Sequence, residues 1–141
     1  MSLPIQPYLR HLNQADHNES LLNENCFPDP CAQLNSTYKD WNVTILFYTA
    51  FHYIQSYLVK NNKIYGYKTE FSSHKERNDY LGKISNHDPL IAKVVDEYIG
   101  LFNASCYARY TSCSYHYLKQ NDICKYKKFV SCTLPKTLGI I

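Results

Sequence analysis

The side chains best suited to acid–base or phosphate chemistry in this chain are His52, His74, Arg77, Asn78, Arg109 and His116. An imidazole titrates near neutral pH, so a histidine can give or take a proton there. A guanidinium offers paired donors that match phosphate oxygens. His52 lies inside a long apolar run, where it either faces a ligand or hydrogen-bonds a neighbouring helix, the usual state of a core histidine. His74, Arg77 and Asn78 open a helix with donors suited to phosphate at its positive end. The same three also suit capping and a solvated or dimer-rim face. His11 and His17 are six positions apart, out of step for joint ligation on one helix face, and are expected at the surface.

The six cysteines (26, 31, 106, 113, 124 and 132) contain no C-x-x-C, and their spacings match no common zinc pattern. They read as free thiols, several packed as small hydrophobes, with no metal and no cofactor expected. The fourteen tyrosines can stack bases, although such residues more often pack cores and interfaces. A net charge of +3 is too mild to imply nucleic acid by itself. The densest positive cluster, Lys125, Lys127 and Lys128, is expected to be a solvated helix face.

The elements that position these residues are helical. Trp41 to Val59 has no glycine, proline or acid. On a helix, Val43, Phe47, Ala50, Ile54 and Leu58 fall on one face, and Trp41, Ile45, Tyr48 and His52 on a neighbouring one. A helix apolar all round must be covered on several sides. It starts near Thr37 to Asp40, with Thr37-x-x-Asp40 as a capping signal, and ends around Lys60 to Asn62. An earlier helix runs from about Tyr8 to Asn25, with Tyr8, Leu12, Ala15 and Leu22 at helical spacing, and Pro28 and Pro30 stop it.

Residues 63–72 read as a loop. Ser73 to Glu76 then fits a capping box that opens a short helix ending near Ser85, with Tyr80, Leu81 and Ile84 buried. Asp88 caps a fourth helix with Pro89 at its first position, running to about Ala108. Asn121 or Asp122 caps a last helix in which Ile123, Tyr126 and Val130 repeat. Residues 1–7 and 134–141 are expected to be loosely ordered.

Together these give one all-α domain over 1–141, an antiparallel up-and-down bundle of four to five helices with the 41–59 helix at its centre. So small a bundle leaves one further face of that helix poorly covered, and a homodimer would bury it. MSLPIQPYLRHLNQ has no apolar h-region, and the 41–59 run is too polar to span a membrane, so a cytoplasmic protein is expected.

Three segments resemble one family. DWNVTILFYTAFHYIQSYL (40–58) resembles the central helix of the HEPN domain (higher eukaryotes and prokaryotes nucleotide-binding), with its D-W-x-x-x-x-x-F-Y-x-A-x-H form. SSHKERNDYL (72–81) resembles its S-H-x-E-R-N segment, and YIGLFNASCYARY (98–110) its L-x-x-x-S-x-x-A-R-Y helix ending. The resemblance covers roughly 8–130. It implies a helical bundle that commonly dimerises, often as the partner of a small nucleotidyltransferase and in some relatives as a metal-independent RNase.

Those RNases use an Arg followed a few residues later by a His at the dimer cleft, for general acid–base chemistry. Placed on that motif, Arg109 stands where the RNases carry His. Their Arg then falls at Phe102, Asn103 or Ala104, none of which can replace it. Arg77 is followed at the required distances by Gly82, Lys83 and Ile84. Arg109 and His116 keep the spacing, with YTSCSY between them, but Tyr110 stands where a small polar residue is usual.

The resulting expectation is a non-catalytic, dimeric HEPN-like binding module. A nucleotide, RNA or protein partner would lie near a groove lined by His52, His74, Arg77 and Arg109. The alternative is an RNase of toxin type using Arg109 and His116.

Overall fold

The computed structural model describes residues 8–9, 11–15 and 38–140, and among them there are helices and no strand. Helix α1 is Lys39–Tyr65, α2 is His74–Ile84 and α3 is Pro89–Tyr110. A 3-10 turn, Ser114–His116, leads to α4, Gln120–Lys128. A π-helical stretch, Phe129–Thr133, then joins it to the short α5, Leu134–Thr137. Residues 8–9 and 11–15 are helical, with Ala15 in the core and Leu12 packed against it. The expectations on Leu22, His17, Cys26, Cys31, Pro28 and Pro30 lie outside the described residues.

At 27 residues, α1 is about 40 Å long and is the axis of the bundle. It passes the expected end at Lys60 to Asn62 because nothing there stops it. Gly66 does, at φ 67, with its N–H donated to the Asn62 carbonyl. At the other end the N-cap is Tyr38, which makes no side-chain capping bond. Thr37 lies outside the described residues, and Asp40 sits in the first turn, where its charge suits the helix dipole.

The two faces of α1 differ in cover. Val43, Phe47, Ala50, Ile54 and Leu58 are each at most 1% exposed. On the neighbouring face Trp41 is 64% exposed, and Ile45, Tyr48 and His52 are half-buried. Among the described residues, therefore, the first face is sealed and the second is partly open.

The other helices are set largely by local chemistry. Ser73 caps α2 by accepting from the Glu76 N–H at 3.1 Å. Glu76 reaches one residue further back than in a capping box, accepting from the Ser72 N–H and hydroxyl and pairing with Lys68. The inner side of α2 is Arg77, Leu81 and Ile84. Tyr80, expected there, is half-buried, and its hydroxyl accepts from the Lys68 N–H.

Asp88 caps α3 through the N–H groups of Leu90 and Ile91, at 3.0 and 3.2 Å, with Pro89 in the first turn. Ile91, Val94, Val95, Tyr98, Leu101, Ser105 and Ala108 form its buried stripe at helical spacing. Asp88 also bonds Tyr57, late in α1, whereas Arg109 bonds Tyr48, early in α1. The two helices thus run antiparallel.

Three expectations for the C-terminal part are corrected. The cap of α4 is Lys119, without a side-chain bond, and neither Asn121 nor Asp122 caps it. Lys127 is 4% exposed, unlike Lys125 and Lys128, because it follows Ile123 and Cys124 at helical spacing on the inner face. Residues 134–140 are ordered into the core rather than loose: Leu134 is 0% and Leu138 4% exposed. Pro135 lies in the first turn of α5, where a missing N–H costs little.

Among the described cysteines, Cys106, Cys113 and Cys132 are free thiols. Cys124 is buried and Cys106 half-buried. Among the described residues no helix is long and apolar enough to cross a membrane.

Candidate functional site

The half-open face of α1 presents Tyr48, Phe51, His52 and Gln55 over two turns, a rise of about 10 Å. The other elements bring Arg109 to Tyr48, Arg77 and His74 to Phe51, and His11 to His52. The result is a row of cations and imidazoles on an aromatic floor.

Arg109, in the last turn of α3, is half-buried and held by its own helix. Its Nε donates to the Ser105 carbonyl at 3.2 Å and its Nη2 to Ser105 Oγ at 3.3 Å. Its Nη1 crosses to α1, donating to the Tyr48 hydroxyl at 3.0 Å. The guanidinium lies 5.6 Å from the Tyr48 ring centroid and 5.2 Å from that of Tyr110.

Arg77 was expected either as a donor to phosphate or on a solvated or dimer-rim face, and it is not on such a face. It is only 7% exposed. Its guanidinium lies 4.2 Å from the Phe51 ring centroid and 5.0 Å from that of Phe71. Nη1 meets His74 Nδ1 at 3.1 Å, and Nε donates weakly to Gln55 Oε1 at 3.4 Å. Gln55 is itself fixed by donating to the Thr69 carbonyl.

A guanidinium can only donate, so His74 Nδ1 must accept, and the imidazole carries its proton on Nε2. Arg77 thereby sets the tautomer of His74 and leaves an N–H free to donate. Burial, then Arg77 and Arg109, lower the pKa of His74, so it is neutral at pH 7.

His11 is corrected from surface to site. It is half-buried, and its Nδ1 lies 2.8 Å from Nδ1 of His52. Burial, His11 and Arg77, in that order, push His52 down to about 4. Burial and Arg77 also lower His11. Beside this pair lies a cleft of about 580 Å³, lined among others by Tyr8, His11, Gln55, Lys60, Lys63 and Glu70.

The structure therefore assembles His52, His74, Arg77 and Arg109 and leaves out two candidates. Asn78 is half-buried, its Oδ1 is enclosed without a hydrogen-bond partner, and no hydrogen bond ties it to His74 or Arg109. His116 is exposed on the 3-10 turn, with its ring 4.3 Å from that of Tyr115, and is not brought to Arg109.

Sequence reasoning missed His11, Gln55 and Phe71 as parts of the site. Gln55 had a signal, lying three positions after His52 on one helix face. Phe71 had none.

Among the described residues, neither guanidinium is bonded to a carboxylate, and no group of three or more His, Cys, Asp or Glu is placed to hold a metal ion. What the arrangement can do chemically is hold an anionic group by Arg109 and the free N–H of His74, with the enclosed charge of Arg77 behind them.

No protein-family model matches this chain, and no curated protein or solved structure is significantly similar to it.

Proposed function

We propose that this chain is a cytoplasmic, HEPN-like helical module that acts as a homodimer. In this reading it binds, without cleaving, a nucleotide, an RNA or a partner protein such as a small nucleotidyltransferase. The binding groove is the half-open face of α1, with His52, His74 and Arg109 at its wall and Arg77 behind.

One observation carries the reading. Two guanidiniums and a tautomer-fixed imidazole converge on that face, and none is bonded to a carboxylate among the described residues. Fixed cations not bonded to a carboxylate attract anionic ligands, and stacking on Phe51, Tyr48 and Tyr110 holds them in place against solvent. Exposed aromatics beside the groove, Tyr38, Trp41 and Tyr110, support a second copy docking there.

The RNase alternative needs Arg109 and His116 at one phosphate, and no contact favours it. Fluorescence anisotropy with labelled nucleotides and single-stranded RNA tests the binding, with Arg109→Gln as the control. Affinity should fall at least about tenfold in the variant, which is about 1.4 kcal/mol. Equal affinity would overturn the site, and metal-free RNA cleavage lost in His116→Ala would overturn the non-catalytic reading. A monomer by sedimentation at micromolar concentration would overturn the dimer.

A further inference from the structure

The contact between His11 and His52 joins the N-terminal helical residues to the middle of α1. Their Nδ1 atoms are 2.8 Å apart and their ring centroids 5.1 Å apart. One ring must donate and the other accept, so this bond exists only while at least one imidazole is neutral. The segment's other described ties include the Ser56 hydroxyl donated to the Tyr8 carbonyl at 3.0 Å, and Leu12 and Ala15 against the core. Ala15 is small and Leu12 only partly buried, so the apolar share that these described residues contribute is modest.

We propose that the His11–His52 hydrogen bond is a proton-operated latch. With at least one imidazole neutral it holds the helical residues around His11 against α1, and protonation of both rings releases them and opens the His52 and Arg77 end of the groove. That consequence rests on the groove being the binding site.

Burial first, and then the groups facing the pair, explain the direction. From α2, Arg77 lowers the pKa of both rings, and His74 bonds Arg77 on its other side. From α1, Lys60 and Lys63 line the same cleft as His11, as does Glu70 from the crossing between α1 and α2. Protonating one ring leaves a half-buried imidazolium against the Arg77 charge. Protonating both leaves two donors facing each other with no acceptor.

Hydrogen exchange of the residue 11–15 amides, corrected for intrinsic rates and compared with α3 amides, tests the latch between pH 7 and pH 4. The full chain should show exchange in this segment rising on the order of a hundredfold over that range, following the displacement of His52 from 6.5 to about 4. The α3 amides should stay protected. The double variant His11→Gln, His52→Gln should show no such rise.

A wild-type segment indifferent to pH, the same rise in the double variant, or α3 opening in step would each overturn the latch. No ligand enters this measurement, so failure of the latch and failure of the groove as a binding site are separately visible.

Discussion

Two polar clusters sit at opposite ends of the α1–α3 contact, and they are built on opposite principles. At one end the Asp88 carboxylate is 5% exposed and fully engaged. It accepts from the Leu90 and Ile91 N–H groups and from the hydroxyls of Tyr57 and Tyr67. At the other end, among the described residues, Arg77 and Arg109 donate to neutral groups and stack on rings. A buried charge with all its partners in place fixes structure, whereas charges not hydrogen-bonded to a carboxylate are open to an external one. The first cluster ties α1 to α3, and the second is the candidate site.

The largest expected effect comes from breaking the closed cluster. Asp88→Ala removes the α3 cap and strands two tyrosine hydroxyls, for a loss of about 3 kcal/mol in a urea melt. A loss under about 1 kcal/mol would mean that the carboxylate is not the tie its geometry suggests. Arg109→Gln should do the reverse, leaving stability within about 1 kcal/mol while ligand affinity falls at least about tenfold.

Acid should separate the two clusters by pH. The lowered His11, His52 and His74 pKa values mean that the unfolded chain binds more protons below about 6.5. Stability therefore declines as pH falls from 6.5 toward about 4. At Asp88 burial alone would raise the pKa, but hydrogen bonds from Tyr67, Tyr57, Ile91 and Leu90 outweigh it and hold the carboxyl below its usual value. Its contribution is present above the ordinary carboxylate range and is lost only at lower pH. Melts against pH in His52→Gln and Asp88→Asn should weaken the upper and lower declines respectively.

The smallest effect belongs to the exposed aromatics. Trp41→Ala should change monomer stability by no more than about 0.5 kcal/mol, yet weaken self-association in sedimentation.

What the sequence made legible was what local chemistry decides. Ser73 and Asp88 cap as their types and spacing require, Pro89 falls where its lost N–H is harmless, and the Val43 to Leu58 stripe is sealed. His52, His74 and Arg109 were named from their setting and do share one face. What stayed hidden depends on partners distant in sequence. Arg77 is enclosed because Phe71, from a loop without pattern, stacks beside Phe51. His11 meets a histidine 41 residues away. The residues after Val130 fold because Leu134 and Leu138 reach core space that no local signal announces.

The central claim is that the cations on the half-open face of α1 form a binding face without cleaving what they bind. It is tested most directly by equilibrium binding of labelled single-stranded RNA in metal-free buffer to the wild type and Arg109→Gln, with the RNA recovered on a denaturing gel. The wild type should bind saturably and in a salt-sensitive way, the variant at least about tenfold more weakly, and the RNA should be intact in both. Equal affinity in the two proteins, or cleaved RNA, would overturn it.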